Sequence, residues 1–390
     1  MAVTTGIDRL LSDPTPIAGR RVGLLTNPSG VTRDLVPTLD AFRAATECTL
    51  GAIFSPEHGI AAVARDGEHV ASTVDPISGA PIHSLYGATM TPTLEMLRGL
   101  DVLVCDIQDI GVRYYTYFWT LTHVLEGAGA ASVPVIVLDR PNPIGDRIDG
   151  ALLDPAFASL VGRFPIPVTH GMTIGELARW FNTTHNPTPA DLSVIACDGC
   201  ARGMTWEETG GIFVPTSPAM PHLSTVRHYP GACLIEGTTL SEGRGTSLPF
   251  EIVGAPGIDG DRLARHLNAL AHDPAFADGL QGVRWRAHSF QPLGGKHAGE
   301  VCGGVQAHIT DTRAFRPLAA WLIALRALRE LFPAAFGWRE AMFDRLYGSG
   351  DGRAWVESDQ GIARLLEVWE RDATQWEAVC AQARLYRARG

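Results

Sequence analysis

Five short apolar runs in the first two hundred residues are unbroken by polar alternation, and they dictate most of what this chain can become. They are "RVGLLTN" (21–27), "TLGAIFS" (49–55), "DVLVCDIQD" (101–109), "PVIVLDR" (134–140) and "LSVIACDG" (192–199). A strand with one wet face alternates; a strand apolar throughout needs cover on both faces. Between the runs lie stretches of helical spacing at 34–45, 91–100, 115–130 and 173–185. Strands alternating with crossover helices predict a doubly wound α/β unit around a mostly parallel sheet.

The chain has 390 residues, which is long for a single core, so a second unit is expected. The Pro-rich stretch "VPTSPAMPHLSTVRHYPG" (214–231) breaks the rhythm and reads as an interdomain crossing. We therefore expect a larger unit over residues 1–228 and a smaller α+β unit over 229–390. In the second, Asp259 is placed to cap a helix in "GIDGDRLARHLNALA". "VRWRAHSFQP" and "CGGVQAHIT" read as strands, "FRPLAAWLIALRALRELFP" as a long helix, and the last thirty residues as helical.

Ligands of open parallel sheets bind outside the carboxyl ends of the strands. Those ends carry Asn27 after the first run and Glu57 and His58 in "SPEHG" after the second. They carry Asp106 and Asp109 after the third, and Asp139, Arg140 and Asn142 after the fourth. One such turn is ordinary; four on one rim predict a polar active-site crevice.

Several chemistries are excluded by what the motifs lack. No GxGxxG or Walker lysine is present for a nucleotide, no GxSxG elbow for an acyl-transfer serine, and no HExxH for zinc. "CDGC" (197–200) has metal or redox spacing but no second pair, and Cys105 follows the apolar "DVLV" as a core residue would. No cofactor and no metal are expected. A formal charge of −10 disfavours a nucleic-acid partner, while local arginines can still hold a small anion. The first residues lack a signal-peptide pattern, and no stretch reaches membrane-spanning length, so the expected setting is cytoplasmic.

Carboxylates are what remains: Glu57, Asp106, Asp109, Asp139 and Glu242. Glycosidic cleavage uses one protonated carboxyl for the leaving oxygen and a second group to stabilise the oxocarbenium-like centre. A glutamate crowded by acids or desolvated by aromatics holds its proton to higher pH and suits the first role. In "YYTYFWT" (114–120), Phe118 and Trp119 read as core, whereas Tyr114, Tyr115 and Tyr117 suit either core or the face of a sugar.

"GLLTNPSGV", "FSPEHG", "DIQDIGVRYYTY", "VLDRPNPIGD", "PTSPAMP" and "LIEGTTLSEGRGTSLPFEIVGAP" occur in that order. This series resembles the NamZ-type exo-β-N-acetylmuramidases, formerly a domain of unknown function, from about residue 6 to the C-terminal helices. The resemblance implies a Rossmann-like N-terminal domain, a smaller C-terminal one, and an active site in the cleft between them. It implies release of N-acetylmuramic acid from the non-reducing end of peptidoglycan fragments. Glu57 becomes the leading catalytic carboxylate, with His58, Asp106 and Asp109 beside it. Asn27, Arg113, Tyr114, Tyr115, Asp139, Arg140, Asn142, Glu242 and Arg244 become substrate-binding candidates. Arg113, Arg140 and Arg244 compete to grip the lactyl carboxylate, since a guanidinium fork matches it. Two departures stand out. Exported members carry a secretion signal, and its lack here points to recycling of imported fragments. Ala219 in "PTSPAMP" replaces a usual Asn, removing an amide. A non-catalytic muropeptide-binding protein and a hexosaminidase of shifted specificity, such as an N-acetylglucosaminidase, stay open as alternatives.

Overall fold

The computed structural model describes residues 2–62, 73–87 and 89–388. Twelve strands are formed among them. They are β1 (Arg21–Thr26), β2 (Thr49–Ser55), β3 (Thr73–Val74), β4 (Pro81–Ser84), β5 (Val102–Asp106) and β6 (Val135–Leu138). Next come β7 (Ile148–Asp149), β8 (Thr169–His170), β9 (Leu192–Ile195), β10 (Ile252–Ala255), β11 (Val283–Phe290) and β12 (Cys302–Ile309). The main sheet runs in the order β3-β4-β2-β1-β5-β6-β9. Every pairing in it is parallel except β3 with β4.

All five apolar runs are strands of this sheet; the continuity has the expected cause in the four inner ones, while β9 at the sheet edge is only partly buried. Val22 and Leu24 of β1 pack with Val102, Val104, Ile136 and Leu138 on one face. Leu25, Leu103, Cys105, Val135 and Val137 pack into the larger core on the other. Each fully buried aliphatic side chain contributes roughly 1.5–3 kcal/mol against exposure, so both faces favour this arrangement. The chain proceeds outward from β1 through β2 and β4, then returns to β5 on the other side of β1. That reversal opens a crevice at the carboxyl ends of β1 and β5.

Several boundaries differ from the sequence expectation. The helix expected over 34–45 begins only at Thr38, because Leu35 is left-handed (φ 61) and Pro37 precedes the first turn. The stretch 91–100 keeps only the turn Leu94–Leu97, and the left-handed Gly99 (φ 77) follows it. Within 214–231, the second half is a buried helix, Leu223–Ala232, rather than an open crossing. It packs on the helix Pro317–Leu331 so closely that a Cβ at Gly231 would collide with the carbonyl of Pro317.

The second unit is a three-stranded antiparallel sheet, β10-β12-β11, covered by helices. Asp259 caps the helix Gly260–Leu270 as expected, its Oδ1 accepting from the Arg262 amide at 2.9 Å. The last long helix, Ala363–Cys380, is not continued to the terminus. Residues 384–388 instead run back along the first unit, where the Leu385 amide donates to Glu176 at 2.8 Å. The largest core cluster is continuous through both units.

Candidate active site

At the end of β2 the chain turns through Pro56–Gly59, closed by the Gly59 amide donating to the Pro56 carbonyl at 3.1 Å. Glu57 is the second residue of that turn and is 8% exposed. His58 is the third, held at φ 70, a conformation usually left to glycine. The Thr116 hydroxyl, in the first turn of the helix Thr116–Ala131, donates to Glu57 Oε2 at 2.7 Å.

Three polar atoms beside this turn are buried without a hydrogen-bond partner among the described residues. They are Ser55 Oγ at the end of β2, Asn27 Nδ2 after β1, and Asp109 Oδ1 after β5. The other ends of the last two groups are fixed. Asn27 Oδ1 accepts from the Ser29 amide at 3.0 Å and its hydroxyl at 2.5 Å. Asp109 Oδ2 accepts from the Gly111 amide at 2.6 Å and lies 3.5 Å from His170 Nε2. Buried polar groups normally find partners, and each orphan is worth about 1–3 kcal/mol of desolvation. Three of them at neighbouring strand ends mark a place built for a polar ligand.

Tyr115 and Tyr117 close one wall, edge to face at 4.7 Å. The Tyr115 hydroxyl donates to Thr216 Oγ1 at 2.6 Å and that of Tyr117 to the Thr216 carbonyl. Burial pushes both phenols well up, so both stay protonated donors; Asp109 adds to this for Tyr115 and Glu57 for Tyr117. "PTSPAMP" thus enters through Thr216, a residue the sequence reading did not single out.

Other candidates have structural employment. Asp106 is fully buried, and its two oxygens accept a fork from Arg140 Nε (2.6 Å) and an η nitrogen (2.7 Å), with the Thr38 hydroxyl as a further donor. Expected as a catalytic group, it forms an ion pair that ties β5 to the loop after β6. Arg140 also donates to the Val31 carbonyl at 2.7 Å. Arg113 is only 1% exposed, and its two terminal nitrogens donate to the carbonyls of Ala151, Ile166, Leu346 and Tyr347 at 2.5–3.0 Å. Burial pushes its pKa down to about 10. Tyr114 donates to the Pro230 carbonyl and packs against Tyr229. Asp139 accepts from the Gly175 amide (2.8 Å), Thr173 (2.7 Å) and Tyr386 (2.5 Å), capping the helix Ile174–Thr184. Its burial pushes the carboxyl up to about 6, against the pull of those donors. Asn142 closes its own turn, accepting from the Ile144 amide at 3.1 Å and donating to the Met172 carbonyl at 3.0 Å. These contacts fix the loops of the rim, while Arg140 and Asn142 still line hollows at the surface.

The second unit contributes a charged group. Glu242 lies 3.0 Å from Lys296, the one lysine of the chain, and 3.6 Å from Arg244. Lys296 also donates to the carbonyls of Ile235 and Leu240 at 2.8 and 2.7 Å, and Arg244 to Glu236 at 2.8 Å. Lys296 escaped the sequence reading, although a lone lysine in "LGGKHAGE" was signal enough to find it. The Arg244 guanidinium stands 4.9 Å over Phe250, Phe250 meets Tyr229 at 4.8 Å, and Tyr229 meets Tyr115 at 6.2 Å. Aromatic rings therefore connect "SEGRGT" to the tyrosine wall.

Comparisons with known proteins agree along the whole chain. Residues 22–224 match the description "Exo-beta-N-acetylmuramidase NamZ, N-terminal", and residues 227–386 its C-terminal counterpart. Peptidoglycan β-N-acetylmuramidase NamZ of Bacillus subtilis (strain 168) is 41% identical over 377 residues, covering 96% of this chain and 89% of that protein. Two crystal structures of DUF1343 family proteins from Bacteroides fragilis NCTC 9343 share the fold. One has a TM-score of 0.88 at 33% identity, covering 98% of this chain and 99% of its own. The other has a TM-score of 0.81 at 27% identity, with both chains covered in full. Motif order, sheet topology and these matches make the chain a member of the NamZ family of exo-β-N-acetylmuramidases.

Proposed function

We propose that this protein is an exo-acting glycosidase that releases N-acetylmuramic acid from the non-reducing end of peptidoglycan fragments, with Glu57 as its general acid. The observation that carries the reading is the placement of Glu57. It is a buried carboxyl at the end of β2, held by Thr116 through one oxygen, and the ends of β2, β1 and β5 carry unpaired Ser55, Asn27 and Asp109 atoms. The Glu57 proton passes to the glycosidic oxygen as the anomeric C–O bond breaks, and water supplies the hydroxyl that replaces it. Asp109 is the second carboxylate, its unpaired Oδ1 accepting from the substrate acetamide or from the attacking water. Tyr115 and Tyr117 supply an aromatic wall. For the lactyl carboxylate, Arg244 is the suitable cation, being 25% exposed where Arg113 and Arg140 are buried.

The setting we propose is the cytoplasm, on wall fragments brought in for recycling. All seven cysteines are free thiols, which suits a reducing compartment. The domain boundary we propose stays between residues 228 and 229, within the helix Leu223–Ala232.

The test is release of N-acetylmuramic acid from a short wall glycan by the wild type and by Glu57→Gln. Loss of the acid should lower kcat/KM by about 10²–10⁴-fold with the melting temperature retained. A glycan left intact by the wild type through long incubation would favour a binding protein, and an unimpaired variant would remove Glu57 from the chemistry.

A further inference from the structure

A general acid protonates the oxygen that joins two sugars, so the retained sugar and the departing one lie on opposite sides of it. Glu57 divides the sheet edge in this way. On one side stand β1 and β5, whose ends carry Asn27 and Asp109; on the other stands β4, whose end leads to Tyr86. Thr116, the residue that holds Glu57, also lines a hollow of about 240 Å³ on the β4 side. Tyr86, Met90, His123, Leu160 and Arg163 are among its walls.

We propose that this hollow is the aglycone subsite, which receives the sugar ring that leaves. The assignment rests on Glu57 being the acid. The chemistry of the walls suits a neutral pyranose. Tyr86, Met90 and Leu160 offer apolar surface to a ring face, and Leu160 is 45% exposed at the rim. His123 turns Nδ1 towards Thr91 (3.1 Å) and Glu126 (3.3 Å), which leaves Nε2 for a sugar hydroxyl. Arg163 is braced by Thr122 (2.5 Å) and Glu126 (2.8 Å), so the polar end of the hollow is fixed before a ligand arrives. The retained sugar, with its lactyl group, then occupies the β1–β5 side, where the unpaired atoms lie.

The experiment compares two substrates in Leu160→Trp, which fills the hollow from its rim. One is a short wall glycan, whose leaving group is a sugar; the other is β-N-acetylmuramyl fluoride, whose leaving group is a single atom. The proposal expects kcat/KM for the glycan to fall by about tenfold or more while that for the fluoride stays within about twofold, because only the glycan binds there. Equal losses on both substrates, or no loss on the glycan, would overturn it. If Leu160→Trp melts markedly earlier than the wild type, Tyr86→Ala decides by the same split. Glu57→Gln runs alongside: glycan cleavage unaffected by that change overturns both the subsite and the catalytic reading. Equal losses in an enzyme that does depend on Glu57 overturn the subsite alone.

Discussion

His58 follows the proposed acid in left-handed backbone, φ 70, where a side chain costs about 1–2 kcal/mol relative to glycine. The turn accepts that strain and holds Glu57 between Pro56 and Gly59. His58→Gly should therefore be more stable than His58→Ala by about 1 kcal/mol, measured by urea denaturation; equal stabilities would mean the turn relaxes. Asp139 gives a pH signature. Burial raises its folded pKa to about 6, above the unfolded carboxylate range. Its protonated form is favoured by folding, so its contribution is complete at low pH and is lost as pH rises through about 6. Between pH 4.5 and 7.5 the wild type should lose on the order of 2 kcal/mol relative to Asp139→Asn. Parallel denaturation profiles would contradict this. At this scale the residues named from the sequence lie at the strand ends, but the hydrogen-bond partners of each were not legible. An arginine in a sequence motif reads the same whether it faces a sugar or, like Arg113, is enclosed by carbonyls.

Among elements, those with a continuous apolar run were legible, because burial on both faces of β1, β2, β5 and β6 leaves no other pattern. β4 was not: "PIHS" is four residues long and half-buried, too short for periodicity to register. The C-terminal tail was read as helix from its composition, yet it is extended because its partners lie in the first unit. Tyr386 reaches Asp139, and its hydroxyl accepts from the Cys197 amide at 2.8 Å. Tyr386→Phe should cost about 1–3 kcal/mol and raise amide exchange across 384–388. Unchanged exchange there would show that the backbone contacts to Glu176 hold the tail by themselves.

The whole molecule depends on contacts that no local pattern encodes. Arg113 joins carbonyls of the first unit, at Ala151 and Ile166, to the end of the helix Glu340–Tyr347 in the second. Arg113→Met would take a donor from four buried carbonyls, of which Ile166 keeps the Leu153 amide at 3.2 Å, so a loss of about 3 kcal/mol is expected in denaturation. KM for the wall glycan, measured well below the melting range, should change little; a large rise in KM with stability retained would return Arg113 to the substrate. The two units are so fastened, and the central claim is the role of Glu57 as acid. The most direct test is kcat/KM of Glu57→Gln on β-N-acetylmuramides whose leaving groups differ in acidity. An absent acid should cost about 10²–10⁴-fold for a sugar leaving group and only a small factor for dinitrophenolate, which departs without a proton. A deficit of the same size on both substrates would contradict proton donation by Glu57.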